Sequence, residues 1–474
     1  MSDINAGTGA TGEGTGNTAD TDAGRDMGSA MGQDTGSALR EDAGRPTGRA
    51  TGQDAGQDTG GTTEHDTGHD GGRDAGSAMP GDTDSATARD TARDAGDADI
   101  LVIGGGMAGA SVAAMLAGSA RVILLEAESQ PGYHTTGRSA AMYEPTYGPR
   151  AMRALTRAGL DFFTNPPEIF GEGPLISPRA SLFVAPEEER ALLETTRDEV
   201  GRDQFEDLDA EAIRRAVPVL KAGYAVDGAL NHGGSDIDVA RMHQGFLRML
   251  RAGGGTVATD ARVEALTRDA DGLWEARTRK GSWRAPVVVN AAGAWADQLG
   301  EMAGAEPIGL VPKRRTALIV AAPEGMDVQA WPLVVNAAET WYMKPDAGRL
   351  LISPANEDPQ MPADAQPDEL DVAICIDRVM TACDLDIRRV ESQWAGLRSF
   401  VADKEPVAGW SDVVPGFYWL AGQGGYGIQS APALARFAAA QLLGRPVPAD
   451  IAAEGLDAAQ LAPGRLAGAE RFTG

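Results

Sequence analysis

The stretch Ile100-Leu101-Val102-Ile103-Gly104-Gly105-Gly106-Met107-Ala108-Gly109 decides how this chain is read. Four consecutive apolar residues suit a buried parallel strand. They run directly into a G-x-G-x-x-G pattern, and the small apolar residues Ala110 to Ala120 read as a helix. Arg121-Val122-Ile123-Leu124-Leu125 is then a second strand, ending at Glu126. Each part has a physical task. Gly104 allows a tight turn, Gly106 lets the backbone approach a pyrophosphate, and Gly109 lets helix and strand pack closely. The N–H groups at the helix start, reaching Met107 and Ala108, offer donors and a positive dipole end to phosphates. Glu126 falls where an acid accepts hydrogen bonds from adenosine ribose hydroxyls, and an acid there disfavours a 2′-phosphate, hence NADP. The implied fold is α/β with a Rossmann-like lobe.

The residues beyond Glu126 are not those an NAD dehydrogenase would offer. After Glu126 and Ala127, the polar stretch Pro131-Gly-Tyr-His-Thr-Thr136-Gly137-Arg138-Ser139-Ala140-Ala141 opens a short helix and suits a loop lying along a longer dinucleotide. Val287-Val288-Val289-Asn290-Ala291-Ala292-Gly293-Ala294-Trp295 is a buried strand ending in small residues, which suit close approach to a flat ligand. Phe417-Tyr418-Trp419-Leu420-Ala421 is a further strand, leading into Gly422-Gln423-Gly424-Gly425-Tyr426-Gly427-Ile428-Gln429 and a helix from about Ser430 to Leu443. Donors at that helix start can face the N1–C2=O edge of a flavin, where negative charge develops on reduction. The cofactor read from these segments, together with Val263 and Arg398, is FAD. No second dinucleotide fingerprint serves a nicotinamide cofactor. Electrons are therefore expected to come from a small substrate and leave to a quinone-type acceptor or oxygen.

The chain has 474 residues and a net charge of −27, with 69 acidic against 42 basic residues. Such an acidic chain has no footprint for nucleic acid or an anionic membrane. No run of about 18 apolar residues is present, so no transmembrane helix is expected. With only Cys375 and Cys383, neither a disulfide scaffold nor a Cys-rich metal site is expected, and no metal is assigned. Residues 1–97 differ from the rest: they hold no Phe, Trp, Tyr, Val or Cys, and glycine recurs every fourth residue over most of Gly24 to Gly76. Glycine costs about 1 kcal/mol relative to alanine in a helix, and no apolar stripe offsets it. The expectation is a disordered, acidic, solvating tail, or an upstream mis-start with Met79 as the true start. His65 and His69 within it are read as chance, not a metal site. No secretory leader is visible, and a cytoplasmic monomer is expected.

The body resembles the FAD-dependent D-amino acid oxidase superfamily, and within it the bacterial D-arginine dehydrogenase type. The resemblance rests on Gln130-Pro-Gly-Tyr-His-Thr-Thr-Gly-Arg-Ser-Ala-Ala141, Val311-Pro-Lys-Arg-Arg315, Trp341-Tyr-Met-Lys-Pro-Asp-Ala-Gly348, Trp394-Ala-Gly-Leu-Arg-Ser-Phe-Val-Ala-Asp403 and Gln423-Gly-Gly-Tyr-Gly-Ile-Gln429. It implies a FAD-binding lobe from 98–178, 232–307 and 396–460, a mainly antiparallel substrate cap from 179–231 and 308–395, and a C-terminal tail from 461 to 474. It implies oxidation of an amino acid to an imino acid by hydride transfer from Cα to flavin N5, then hydrolysis to a 2-oxo acid and ammonia. Relatives in the sarcosine oxidase branch tether their flavin through a cysteine. Cys375 and Cys383 lie outside every matching segment, so FAD is expected to be non-covalent and both thiols buried.

A planar guanidinium matches a substrate carboxylate bidentately. Arg398 and Arg315 stand in apolar contexts, and the resemblance points both at that carboxylate; the alternative for each is a buried ion pair. Tyr342 and Tyr147 are implied to close over the same group, with the alternative of sheet packing. The carbonyl of Gly425 is the implied acceptor for the substrate amine, with Gln429 beside it. His134 is either flavin-adjacent or structural, and His232 and His243 have no motif around them. Two departures bear on specificity. Ser181 stands where D-arginine-preferring relatives carry a glutamate, and Met142 where they carry a histidine; Glu144 is the one acid in the same loop able to stand in. Neutral D-amino acids are therefore the expected substrates. The competing readings are an oxygen-using glycine or sarcosine-type amine oxidase, and a flavoprotein without turnover whose acidic tail binds partners.

Overall fold

The computed structural model describes residues 94–474. The apolar quartet Ile100–Ile103 is a fully buried strand at the centre of a six-stranded sheet. The order across that sheet is Thr256–Ala258, Val122–Leu125, Ile100–Ile103, Val287–Asn290, Phe417–Ala421 and Val407–Trp410. The first five run parallel and the last antiparallel. Burial on both faces explains why the strands read as unbroken apolar runs. Ile100 and Val102 face a core shared with helices Met107–Leu116, Val239–Ala252 and Ala431–Leu442. Leu101 and Ile103 face a second core with Trp274 and Trp283, from a four-stranded sheet. The first helix ends at Leu116, earlier than its apolar composition suggests, because the chain turns through Gly118 at φ +82°.

The four-stranded sheet corrects one boundary. Asp94–Asp97, expected within the tail, is a strand running parallel to Gly281–Ala285. The remainder of the expected tail, with its glycine repeat, His65, His69 and Met79, lies outside the described residues.

The other described strands form a small three-stranded sheet, in the order Met142–Tyr143, Ser235–Ile237 and Ile176–Pro178, and a nine-stranded sheet. In the larger sheet Val311–Ala321 lies between Arg349–Ser353 and Val390–Phe400 and also pairs with the short Asp358–Pro359, and the sheet continues through Tyr342–Asp346, Leu333–Asn336, Ser181–Ala185, Asp227–Asn231 and Glu206–Asp209. All its pairings are antiparallel except Leu333–Asn336 with Ser181–Ala185. Its core holds both cysteines, which are buried as expected. Burial pushes the Cys383 thiol up to about 12 and Cys375 higher still, so both stay protonated and inert. No described helix is long and apolar enough to cross a membrane. The mixed α/β architecture with several sheets is the fold class read from the sequence.

Candidate active site

A cavity of about 550 Å³ lies at the carboxyl ends of the parallel strands and extends to Val390–Phe400. Crevices at strand carboxyl ends are where open α/β sheets bind ligands. One end is built from backbone. Gly104 has φ +107°, and a Cβ there would meet the Ala291 carbonyl oxygen at 2.3 Å. A Cβ on Gly109 would stand 1.8 Å from the Gly104 oxygen, so Gly109 serves packing and does not itself line the cavity. A Cβ on Gly106 would meet nothing closer than Thr136 Oγ1 at 3.4 Å, which leaves that backbone open toward the cavity. The helix Met107–Leu116 starts there with no side chain capping it from the Gly106 position, so its first-turn donors other than Met107 N–H are available to an anion. Met107 N donates to Thr136 Oγ1 at 2.9 Å and joins the two cofactor loops.

Glu126 also lines the cavity, and it does more than the ribose role predicts. Its Oε2 accepts the Gly105 N–H at 2.7 Å and its Oε1 accepts the Glu128 N–H at 2.8 Å. A carboxylate has about four lone-pair sites, so two remain for a ribose. Ala127 and Val263 lie at this end, and Ala108, Ala292, Gly293 and Trp295 line the middle. These residues fit FAD: the glycine cradle would be filled by any Cβ, and the open helix start suits its pyrophosphate.

The loop from Gly132 to Ala141 is fixed from both sides. Gly137 N donates to the Gly132 carbonyl at 2.9 Å, and a Cβ on Gly137 would meet that oxygen, so Gly137 shapes the loop without lining the cavity. Ser139 Oγ accepts the Ala141 N–H; Ser139 and Ala140 line the cavity, while Ala141, at φ +60°, does not. Arg138 lines it too, but its guanidinium is turned to the nine-stranded side. Nη1 donates to the carbonyls of Ala365 (2.9 Å) and Ala395 (3.0 Å), and Nη2 to Asp364 (2.5 Å). Trp394 Nε1 donates to the Arg138 carbonyl and Thr135 Oγ1 to the Leu397 carbonyl. His134 also lines the cavity, its ring 4.8 Å from that of Trp295 and its Nε2 3.1 Å from Glu128 Oε1. His232 meets Glu206 on the surface.

The other end is built from side chains. Arg398 forms no hydrogen bond or ion pair with any described residue. Its guanidinium lies over Gly425, where a Cβ would come within 2.9 Å of Cζ, so only glycine admits it. Burial works against its charge, but Tyr147, Tyr342 and Tyr426 outweigh that and hold its pKa above the ordinary value. Arg315 differs. Its Nε donates to the Asn356 carbonyl at 2.8 Å and its Nη2 to Glu357 Oε1 at 3.1 Å. Burial, then the nearby Arg398 charge, lowers its pKa. The ion-pair alternative thus holds for one edge of Arg315, which still lines the cavity with Tyr342. Tyr342 sits in an apolar wall with Ala317, Leu333 and Leu351, against which Met142 packs.

Gly424, Gly425, Gly427 and Ile428 line the cavity, whereas Met142, Tyr147, Tyr426 and Gln429, expected at cofactor or substrate, do not. Tyr426 is buried with its ring 5.0 Å from that of Tyr147. Gln429, expected at cofactor and substrate, is spent on the loop before Tyr147. Its Oε1 accepts the Glu144 N–H at 2.9 Å and its Nε2 reaches the Tyr147 carbonyl at 3.5 Å. Ser181 is fully buried and away from the cavity, so that position does not map a substrate side chain. Glu144 does not stand in for the missing acid. It is 4% exposed, and its Oε1 accepts from Thr146 N and Oγ1. Burial raises its pKa against the opposing pull of the Ser181 and Thr146 hydroxyls.

Two acids at this end were missed. Glu339 sits at φ +52° in the turn between Leu333–Asn336 and Tyr342–Asp346. Its Oε2 lies 3.5 Å from the Tyr147 hydroxyl. Burial raises its pKa while Arg315 and Arg398 pull it down. The signal was its place three residues before Tyr342. Glu357 bridges Lys313 and Arg315. Burial pushes its pKa up, and the two cations more than reverse that.

A dinucleotide cradle opening onto a cavity with an arginine that is unpaired among the described residues is the setting of a dinucleotide-dependent oxidoreductase. The chain belongs to the FAD dependent oxidoreductase (DAO) family, whose model matches residues 99–441. FAD is thus its cofactor. Among curated relatives, the chain is similar to rat dimethylglycine dehydrogenase, 25% identical over 271 residues, which cover 56% of this chain and 31% of that protein. It is also similar to the L-2-hydroxyglutarate dehydrogenase of Escherichia coli K12, 26% identical over 239 residues, 48% of this chain and 54% of that protein. The chain thus spans about a third to a half of these two relatives. Among solved structures, glycine oxidase from Geobacillus kaustophilus superposes with a TM-score of 0.66 at 22% identity, covering 77% of this chain and 98% of that one.

Proposed function

We propose that this enzyme oxidises free amino acids of D configuration with neutral side chains, to 2-oxo acids and ammonia, as a dehydrogenase of the D-arginine dehydrogenase type. Bound FAD supplies the acceptor for the two electrons leaving the substrate. One observation carries the reading: Arg398 has no hydrogen-bond or ion-pair partner among the described residues, faces the cavity and lies against Gly425. A buried cation without a partner is costly, so it marks an anion site. A substrate carboxylate met by Arg398 and the free edge of Arg315 brings Cα to the Gly424–Gly425 loop. The Gly425 carbonyl is then the acceptor for an N–H of the substrate amine, which must be neutral for hydride to leave Cα. Orientation is the main catalytic contribution. The apolar wall that Ala317 and Tyr342 give the cavity supports an uncharged side chain, and neither Ser181 nor Glu144 lines the cavity to pair a cationic one. The chirality rests on the family resemblance. The electron acceptor is a quinone or oxygen.

The test is the anaerobic visible spectrum of the purified protein before and after D- and then L-amino acids. Bleaching of the flavin bands by neutral D-isomers alone is the expected result. Preference for D-arginine or D-lysine by about tenfold would overturn the side-chain assignment, since it implies a charge-assisted partner of about 1.5–3 kcal/mol. The similarity to dimethylglycine dehydrogenase, named for a tertiary amine, favours one second reading, an oxidoreductase of glycine-type amines such as N-methylated glycines; bleaching by N-methylated glycines and by no D-amino acid would establish it instead.

A further inference from the structure

His243 lies outside the cavity, has no motif around it, and is 3% exposed on the helix Val239–Ala252. Its Nε2 is 2.8 Å from the Gly105 carbonyl oxygen. A carbonyl only accepts, so Nε2 carries the proton. We infer that His243 is a positioning residue for FAD, aiming the Gly106 N–H into the cavity by holding the Gly105 carbonyl on the opposite side.

In a planar trans peptide the C=O of one residue and the N–H of the next point in opposite directions. Drawing the Gly105 carbonyl toward the helix Val239–Ala252 therefore turns the Gly106 N–H away from it, toward the side where Gly106 is open. The preceding peptide is fixed separately, because Gly105 N donates to Glu126 Oε2. A glycine run is otherwise free to flip its peptides, at the high entropic cost of ordering glycine. Two side chains from distant segments thus set one glycine's two peptide planes.

The same ring seats the second cofactor loop. Gly132 has φ +84°, and a Cβ there would stand 3.0 Å from His243 Cε1. The Gly132 carbonyl in turn accepts from Gly137, next to the Thr136 hydroxyl that holds Met107 N. Burial lowers the imidazole pKa, against the smaller opposing effect of the Gly105 hydrogen bond, so the ring is the neutral Nε2–H tautomer near neutral pH.

The test uses the holoenzyme and needs no substrate, so it stands or falls apart from the substrate assignment. FAD release is followed by the rise in free-flavin fluorescence on dilution, for the wild type, His243→Leu and His243→Gln. Losing one pre-aimed donor is expected to weaken FAD binding about tenfold in the leucine variant. The glutamine variant, which keeps an N–H donor, is expected to stay within about threefold of wild type. Equal losses in both, or none in leucine, would overturn the inference. If the leucine variant does not fold, ¹⁵N-histidine spectra of the wild-type holoenzyme decide. A pyrrole-type Nε2 with a pyridine-type Nδ1 supports the assignment, and the reverse tautomer overturns it.

Discussion

The two ends of the cavity are made of different material. At the nucleotide end the ligand meets backbone: glycines at 104 and 106, an uncapped helix start, and carbonyls steered from behind. At the substrate end it meets long side chains from segments far apart in sequence, Arg315, Tyr342 and Arg398, with Tyr147 and Glu339 beside them. A backbone site tolerates no added atom but needs few chemical identities. A side-chain site tolerates changes of volume but depends on each functional group. Substitutions at the first end should therefore cost cofactor, and at the second turnover with the cofactor retained.

The sharpest contrast sets Gly109 against Arg398. Gly109→Val forces a Cβ into the Gly104 carbonyl at 1.8 Å and should abolish FAD retention, read as the flavin-to-protein absorbance ratio. Arg398→Gln should keep a normal flavin spectrum while kcat/KM falls by about 10²–10³-fold, the loss of a charge-assisted bidentate contact. A flavin-free Arg398→Gln protein would erase the distinction between the ends.

Within the substrate end, the two arginines should differ. Arg315 already spends donors on Asn356 and Glu357, so Arg315→Gln should cost less, about tenfold in kcat/KM. Equal losses from Arg315→Gln and Arg398→Gln would mean that both present the same number of free donors. Activity should also rise with pH to a plateau as the substrate amine loses its proton. A flat profile between about pH 6 and about pH 10 would contradict the need for a neutral amine.

The smallest effect belongs to Glu144. Its folded pKa is raised by burial, so the folded state holds its proton more tightly than the unfolded chain does. Stability from this group is therefore lost as pH rises from the unfolded value toward the folded one, and does not return above it. Glu144→Gln keeps an acceptor for Thr146 without the buried charge. It should raise Tm above neutral pH by on the order of 1–3 °C, with no gain below the unfolded carboxyl value. A gain of equal size at all pH values would point to packing instead.

The same contrast governs how much of the molecule is legible in its sequence. The nucleotide end was legible because its signal is local: strand, glycines, helix, strand and Glu126 fall within 27 consecutive residues. Arg398, Arg315 and Tyr342, which the family resemblance singles out, all line the cavity. The residues that went astray depend on which way a loop turns. Glu144 and Gln429 carry the right chemistry, but the turn before Tyr147 takes both inward: Gln429 Oε1 accepts the Glu144 N–H, and the Glu144 carboxylate accepts from Thr146. Ser181 occupies a matching position in sequence, yet the strand Ser181–Ala185 buries it entirely. Glu339 and His243 act through contacts across 192 and 138 residues, and no periodicity reports such a distance.

The stitching of Thr135–Arg138 to the strand Val390–Phe400 has a consequence for recombining this protein with its relatives. Three hydrogen bonds, at Leu397, Ala395 and the Arg138 carbonyl, make the cofactor loop and the strand bearing Arg398 a single inherited unit. A chimera that grafts a foreign substrate cap while leaving Thr135–Arg138 behind would cut that unit in two. Successful crossovers should fall where loop and strand travel together, although more than 250 residues of sequence separate them.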